Sequence, residues 1–214
     1  LPVMEGKCVL FKEFGGVNAV PICLDTKDPA EVIRAVELIA PSFGGVNLED
    51  IRSPECFEIE RVLEEKLDIP VFHDDQHGTG IVVTAALLNA LKVVGKDIAN
   101  VKIVQNGPGA AGTAIIKMLM AAGATDITAV DEHGILYEGR PAGLKDHKAW
   151  LATVTNPRHL TGGLAEAVKG ADVFIGTSIA GALTPEMAAT MAPGAVVFAM
   201  ANPTPEIMPD AAKA

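Results

Sequence analysis

The sequence predicts an α/β protein in which a parallel-sheet lobe, residues 1–77, precedes a Rossmann-type doubly wound domain, residues 78–214. Two observations predict this class. Short β-branched runs alternate with segments of helical periodicity, which is typical of parallel βαβ units. The segment 101–112, VKIVQNGPGAAG, then joins a strand pattern to the glycine spacing of a dinucleotide-binding turn. A chain of 214 residues with 49% hydrophobic content is long enough for two modest domains.

The first lobe is expected to contain four strands and two helices. The first helix follows the cap residue Asp28 and opens with Pro29, a residue that suits the first turn of a helix. The second helix begins at Ser53, and its apolar residues recur at helical spacing. The strands are expected at 8–14, 19–25, 44–50 and 69–72.

The second domain is expected to follow a long apolar helix, Thr79 to Val94, that is buried between layers and joins the two domains. Strand and helix patterns alternate after it, and Thr184 and Pro185 open the last predicted helix. The expected strands are 101–106, 126–131, 171–178 and 194–205, with a helix over 113–123 after the glycine turn.

Composition excludes several function classes. A net charge of −10 and a pI near 4.9 leave no basic face for nucleic acid. The apolar stretch Ile81–Leu91 is interrupted and short for a membrane span, and the N-terminus lacks a signal-peptide layout, so no membrane partner is expected. Cys8, Cys23 and Cys56 form no C-x-x-C pair, so we expect buried free thiols and a reducing, cytoplasmic location.

Three glycines stand between a strand and a helix, the context that a dinucleotide-binding fingerprint requires. They permit a tight turn, close approach of the backbone to the pyrophosphate and close helix packing, and Asp131 ends the next strand, where an acid binds the ribose hydroxyls. Glu132 follows, with no arginine or lysine in the next residues, so NAD is expected over NADP unless Arg140 or Lys145 folds back. The expected cofactor-binding residues here are Gly107, Gly109, Ala110, Ala111, Gly112 and Asp131.

Polar residues also follow the last two predicted strands. Open α/β sheets bind ligands at the carboxyl ends of their strands, so Thr177, Ser178 and Asn202 are expected at the cofactor-binding edge. Capping is the preferred role of Ser178 and Thr184. Asn202 is expected to contact a ligand, although an Asn-Pro pair also makes ordinary turns.

Two pairs of acids end neighbouring strands of the first lobe. Glu49 and Asp50 end one strand, and Asp74 and Asp75 follow the next, across one strand–helix–strand crossover. Such a crossover brings both strand ends to the same edge of the sheet. Four carboxylates at one edge repel one another unless a cation lies between them. The sequence therefore predicts oxygen-ligated Mg²⁺ or Mn²⁺ at this edge.

Three basic side chains lie near these acids in the sequence or the predicted fold. His73 and His77 have the spacing of a zinc pair, but that geometry requires a helix, and a loop is expected over DDQHG, so a supporting or capping role is predicted. Lys7 just precedes the first predicted strand. A lysine in a metal and cofactor cleft can act as a base, whereas a lysine near a terminus is usually only solvated.

Several separated motifs resemble those of malic enzymes of the compact bacterial type. They occur in the right order over essentially the whole chain: PVMEGKCVLFKEF, FGGVNLEDI, PECFEIE, IPVFHDDQHGTG, the glycine motif and FAMANPTPEI. The resemblance implies a metal-dependent oxidation and decarboxylation of malate to pyruvate and CO₂, with NAD(P) as the cofactor and a homodimer as the assembly. It also implies longer chains with a tyrosine acid that Tyr137 does not match, so the fragment alone is expected to be inactive.

The resemblance implies roles for individual residues. Lys7 would be the catalytic base, Asp74 would assist beside the metal, and Asn202 would contact the substrate. Two alternatives stay open: a non-catalytic nucleotide-binding module, which needs neither metal nor Lys7, and another Rossmann enzyme such as an amino-acid dehydrogenase, which needs no metal. The implied metal ligands are Glu49, Asp50 and Asp75.

Overall fold

The chain forms two compact units, Leu1–His73 and Asp74–Ala214. The structure, a computed structural model, describes residues 1–144 and 147–213. The predicted fold class is confirmed: a lobe with a parallel sheet is followed by a Rossmann-type domain. The boundary between the units falls four residues before the expected 77/78, because the residues after His73 already belong to a helix of the second unit.

The first unit combines helices with a two-stranded parallel sheet. Asp28 caps the second helix as predicted, since its side chain accepts a hydrogen bond from the backbone N–H of Ala30. The third helix packs against the second and buries Ile59 and Leu63. The elements are α1 (Pro2–Gly15), α2 (Pro29–Ile39), a 3₁₀ turn (Ala40–Ser42), β1 (Val46–Leu48), α3 (Glu55–Lys66) and β2 (Val71–His73).

The two strands expected at 8–14 and 19–25 are wrong. Residues 8–14 lie within α1, which has Pro2 in its first turn. Gly16 caps the C-terminus of this helix in the left-handed conformation. Residues 19–25 form neither helix nor strand. The apolar run in α1 suggested a strand, yet no residue of α1 is buried, so helix start and stop signals describe this segment better than its apolar content does.

The second unit is a five-stranded sheet flanked by helices. Its strand order is β5-β4-β3-β6-β7, with all neighbours parallel except the short β5. Each predicted strand forms, as does the helix after the glycine turn, but the last two strands are shorter than expected: only Val173–Gly176 of 171–178 and Val196–Ala199 of 194–205 are strand. The elements are α4 (Asp74–Val94), β3 (Lys102–Asn106), α5 (Ala110–Ala121), β4 (Asp126–Asp131), β5 (Gly134–Ile135), α6 (His147–Val154), α7 (Leu164–Val168), β6 (Val173–Gly176), α8 (Pro185–Ala188), β7 (Val196–Ala199) and α9 (Pro209–Lys213).

Helix α4 departs from the prediction at its start and in its burial. It begins at Asp74, so the DDQHG segment is helical and not a loop, because the two acids suit the positive end of the helix dipole. One stripe, including Leu87 and Leu91, packs into the core of the second unit, whereas Val82 and Val93 are exposed. At 21 residues α4 is long and apolar enough to cross a membrane, a test that core helices of soluble proteins also pass.

The three cysteines are free, as predicted, but they are not all buried. Cys56 is buried on α3, Cys8 on α1 is half-buried, and Cys23 is exposed in the segment without regular structure. The expectation of burial came from the two strands that did not form.

The burial of α4 predicts unequal effects of two adjacent substitutions. Leu87→Ala is expected to lower the free energy of unfolding by about 3 kcal/mol, because Leu87 is fully buried in the core of the second unit. Leu88→Ala, a matched change on the exposed side, is expected to cost under about 1 kcal/mol. Urea unfolding followed by the fluorescence of Trp150, the single tryptophan, measures both. Equal losses would contradict the assignment of the buried face.

Candidate metal site and dinucleotide-binding site

The two acid pairs follow strands whose ends are paired. In the parallel ladder of β1 and β2, Leu48 pairs with His73. Glu49 and Asp50 come directly after Leu48, and Asp74 and Asp75 come directly after His73. The two acid pairs therefore start from neighbouring positions at the same edge of the small sheet, as the sequence predicted.

Three of these acids are close enough to share one cation. The carboxylates of Glu49, Asp50 and Asp75 each have an oxygen within 4.8 Å of the others. Asp75 is only two residues beyond β2, so that strand largely fixes its backbone position. Three carboxylates at this spacing repel one another and match the all-oxygen ligand set of Mg²⁺ or Mn²⁺.

Lys7 on α1 contacts the acid cluster. Its Nζ atom lies 3.1 Å from Oε2 of Glu49, a carboxylate that is 7% exposed. The same Oε2 accepts a hydrogen bond of 3.2 Å from the side-chain amide of Asn47 on β1. Glu49 thus contacts one cation and one amide, and the predicted catalytic residue Lys7 lies directly against this acid.

Asp74 and the two histidines occupy distinct positions around the end of β2. A Cβ on Gly78 would overlap the side chain of Asp74, so the glycine leaves room for this carboxylate one turn away. His73 is fully buried and belongs to β2, whereas His77 lies on α4. The two histidines therefore do not share one helix, which the zinc pair that their spacing suggested would require.

Glu60 is a residue of this region that the sequence analysis missed. It lies on α3, is buried, and accepts a hydrogen bond of 2.8 Å from the backbone N–H of His73. It therefore anchors the last residue of β2, just before Asp74. The sequence held one signal of this burial: Glu60 lies next to Ile59, on the side of α3 that carries the apolar residues.

The glycine turn of the second unit has the predicted geometry. Gly107 has φ of 88°, which only glycine adopts readily. A Cβ on Gly112 would overlap the carbonyl oxygen of Gly107, so this glycine permits close packing of α5 on the turn. Gly109 is the N-cap of α5, with open space where its Cβ would lie. The N–H groups of Ala110 and Ala111 open α5, the position where helices bind phosphate.

Asp131 ends β4 as predicted, and the exception stated for Arg140 applies, since basic side chains reach its carboxylate. Arg140 folds back and donates to both carboxylate oxygens at 2.8 Å, and Lys148 donates to Oδ2 at 2.9 Å. Lys148 also pairs with Glu132 at 3.1 Å. Lys145 lies outside the described residues. The local acids are therefore matched by two cations: Arg140, which the sequence analysis named as able to fold back, and Lys148, which it missed.

The carboxylate of Asp131 is both buried and saturated with donors. Its fourth hydrogen bond comes from the backbone N–H of His133 at 2.8 Å, which fills the four acceptor positions of a carboxylate. Burial raises the pKa of Asp131, but the hydrogen bonds from Arg140, Lys148 and His133 outweigh burial and hold this pKa at about 2. Asp131 is consequently an anion at neutral pH.

Residues at the ends of β3 and β6 form a polar group beside the glycine turn. Thr177 donates to the carbonyl of Gly107 at 2.7 Å, and the hydroxyl of Ser178 accepts a bond of 2.8 Å from the side chain of Asn106. Ser178 therefore does not act as the expected cap. Thr184 does cap α8, since its hydroxyl accepts from the N–H of Met187.

Two family models match this chain. The model of the malic enzyme N-terminal domain matches residues 1–64, and that of the malic enzyme NAD-binding domain matches residues 76–214. The chain belongs to the malic enzyme family. Both units of the chain are matched, and neither match favours the alternative of an amino-acid dehydrogenase on a similar Rossmann domain.

Relatives of this malic enzyme chain differ in cofactor. The bifunctional malic/malolactic enzyme of Bacillus subtilis is 55% identical over 100% of this chain and 52% of its own. The NADP-dependent malic enzyme of Halomonas elongata is 50% identical over 99% of this chain and 50% of its own. The crystal structure of the NAD-dependent malic enzyme from Thermotoga maritima has a TM-score of 0.96 at 50% identity, covering 99% of this chain and 56% of that one. The chain thus spans about half the length of these relatives.

The ion pairs of Asp131 predict a stability effect with a defined pH dependence. Asp131→Asn is expected to lower the free energy of unfolding by about 3 kcal/mol at neutral pH, because it leaves the buried Arg140 without its charged partner. The folded-state pKa of Asp131, about 2, lies below the ordinary 3.8, so this stabilisation is present above pH 3.8 and is lost as the pH falls from there towards 2.

Urea unfolding at several pH values, followed by Trp150 fluorescence, measures this effect. Asp210→Asn on the exposed start of α9 is the matched control, with an expected change within about 0.5 kcal/mol. If Asp131→Asn and the unmodified protein have the same free energy of unfolding at pH 7, the ion pairs of Asp131 do not stabilise the fold.

Proposed function

We propose that the chain forms the metal-binding and dinucleotide-binding part of an enzyme that converts malate to pyruvate and CO₂ while reducing NAD(P). The observation that carries the proposal is the group of three acids at the paired strand ends, with Lys7 in contact with Glu49. Membership of the malic enzyme family supports it. A module that only bound a nucleotide would need neither the acids nor the lysine.

The proposed ligands of Mg²⁺ or Mn²⁺ are Glu49, Asp50 and Asp75. Their carboxylates supply hard oxygen donors within 4.8 Å of one another, and three ligands leave positions for substrate oxygens. A metal bound there would supply positive charge that polarises the C2 oxygen of malate and offsets the charge that develops on it. The side chain of Asn47 keeps Glu49 oriented, because its amide donates to the carboxylate.

The chain's own residues account for proton removal and substrate contact in the proposal. Lys7 in its neutral amine form accepts the proton of the C2 hydroxyl and becomes the ammonium that pairs with Glu49, as hydride leaves C2 for the nicotinamide and oxaloacetate forms. Loss of CO₂ and addition of a proton at C3 then give pyruvate. Asp74 assists beside the metal ligands, and Asn202, exposed after β7, contacts the substrate or the cofactor.

The glycine turn and the strand ends beside it are proposed to hold the dinucleotide. The N–H groups at the start of α5 bind the pyrophosphate, since Gly109 leaves open space there and the helix dipole favours an anion. Thr177 and Ser178 support the loop against the turn through Gly107 and Asn106. The proposed contacts on this side are Gly107, Gly109, Ala110, Ala111, Gly112, Thr177 and Ser178.

NAD is proposed as the principal cofactor, with NADP tolerated. A ribose 2′-hydroxyl can bind Asp131 by taking the position on Oδ2 that Lys148 occupies, because Lys148 is partly exposed whereas Arg140 is buried. Without Lys148, the carboxylates of Asp131 and Glu132 would repel a 2′-phosphate. With Lys148 present, its ammonium group can pair with that phosphate. The choice between the two cofactors therefore depends on Lys148 as well as on Asp131.

A homodimer in the cytoplasm is proposed for the protein that contains this chain. The support for a protein partner is α1, which buries no residue and exposes Val9 and Phe14, a surface typical of an interface. The support for a reducing compartment is the set of free cysteines, one of which, Cys23, is exposed. The proposed small-molecule partners are malate and pyruvate.

The proposed metal site predicts that Asp75→Asn weakens Mn²⁺ binding at least tenfold, because it removes one of three charged ligands. Mn²⁺-dependent oxidation of malate should fall with it. Electron paramagnetic resonance of free Mn²⁺ measures the affinity, and NADH formation measures the activity, both on the protein that contains this chain. Binding of NADH, measured by its fluorescence, should stay within twofold.

Asp68→Asn, an exposed acid between α3 and β2, is the matched control and should leave both quantities unchanged. Unchanged Mn²⁺ affinity in Asp75→Asn would overturn the ligand assignment. Normal Mn²⁺ and NADH binding without any turnover of malate would instead overturn the proposed reaction.

The proposed role of Lys148 predicts a change in cofactor preference. Lys148→Ala removes the cation that can pair with a 2′-phosphate and frees Oδ2 of Asp131 for a 2′-hydroxyl. The ratio of kcat/KM for NAD to that for NADP should rise about tenfold, or about 1.4 kcal/mol. Lys169→Ala, an exposed lysine after α7, is the control. An unchanged ratio would show that Lys148 does not act on the cofactor.

A further inference from the structure

Glu206 is a buried carboxylate that the proposed mechanism does not use. It follows β7 in the segment ANPTPE and is fully buried. Its Oε1 accepts hydrogen bonds from the backbone N–H of Ser178 at 2.8 Å and from the Ser178 hydroxyl at 3.1 Å, and its Oε2 accepts from the N–H of Ala201 at 3.0 Å. One side chain thus binds the residues that follow two neighbouring strands, β6 and β7.

The sheet makes room for this carboxylate. Gly176, the last residue of β6, lies where any Cβ would overlap the carboxyl group of Glu206. Burying a carboxylate is costly unless hydrogen bonds replace its hydration. Three donors do so here, and among the described residues no lysine, arginine or histidine forms a salt bridge with Glu206. The arrangement therefore depends on backbone and hydroxyl donors at fixed positions.

The contacts of Glu206 continue to a third strand end. The side chain of Asn106, the last residue of β3, donates to the Ser178 hydroxyl at 2.8 Å, and that hydroxyl donates to Glu206. The neighbouring Thr177 is fixed to Gly107 of the glycine turn at 2.7 Å. The ends of β3, β6 and β7 are consequently joined by one chain of hydrogen bonds that terminates at Glu206.

We propose that Glu206 is a positioning residue for dinucleotide binding, whose carboxylate fixes the loop after β6 and the backbone before Asn202 at the edge of the sheet that receives the cofactor. This inference rests on the proposed dinucleotide-binding function. Glu206 acts through Ser178 and Ala201, because its own oxygens are occupied and buried. Ordering these loops in advance lowers the entropy that binding must remove.

Glu206→Gln tests this role with little change in side-chain size. Whichever way the amide is oriented, its NH₂ group meets a backbone N–H at one of the two oxygen positions, so at least one hydrogen bond is replaced by repulsion. The dissociation constant of NADH, measured by its fluorescence at 25 °C, should rise at least fivefold, and KM for NAD should rise by a similar factor with a smaller loss in kcat. Glu138→Gln makes the same chemical change at an exposed position and should bind NADH within twofold of the unmodified protein.

A purely structural role would leave a different pattern. Glu206→Gln would then lower the melting temperature, yet the folded protein would bind NADH with unchanged affinity, and this result overturns the proposal. If Glu206→Gln does not fold, Glu206→Asp decides by the same measurement, because it retains the charge but cannot reach both partners. Its NADH dissociation constant should rise at least threefold, and an unchanged value overturns the proposal. Absence of NADH binding in the unmodified protein would instead overturn the dinucleotide function itself.

Discussion

The parallel pairing of β1 with β2 is the constraint on which the candidate metal site depends. Leu48 and His73 are partners in this ladder, so the chain leaves both strands at the same edge and in the same direction. A shift of one residue in the register would turn the side chains of one strand to the opposite face. Glu60 helps to hold this register at its end through the N–H of His73. Acids that are distant in sequence thereby become one cluster.

In the second unit, too, parallel strands bring polar side chains to one edge of a sheet, but there the side chains surround the glycine turn. The parallel strands β3, β4, β6 and β7 all end at the edge where the glycine turn, Asp131 and the polar groups of Thr177 and Ser178 lie. At this edge, buried hydrogen bonds and ion pairs stabilise the carboxylates, whereas a bound cation is proposed to do so for Glu49, Asp50 and Asp75. Asp131 is neutralised by Arg140 and Lys148, and Glu206 is satisfied by N–H and hydroxyl donors.

Much of this architecture follows from local sequence because its determinants are local. The glycine turn, the cap at Asp28 and the acids at the strand ends each act within a few residues, so their patterns predict them directly. The strands predicted at 8–14 and 19–25 do not form, because whether an apolar run becomes a strand depends on distant residues. Such a run forms a strand only where a partner strand or a core covers it, and α1 buries no residue. Lys148 and Glu206 were not assigned, and Arg140 was named only as a residue that could fold back, because the partners of all three are set by how the chain after each strand folds onto the sheet.

The central claim is that Glu49, Asp50 and Asp75 bind one divalent cation. The most direct measurement is anomalous X-ray scattering from crystals of the protein that contains this chain, grown with Mn²⁺. One strong manganese peak is expected among these three side chains, at metal–oxygen distances of about 2.1 Å. A fully occupied manganese peak elsewhere, with no peak among the three carboxylates at saturating Mn²⁺, would contradict it.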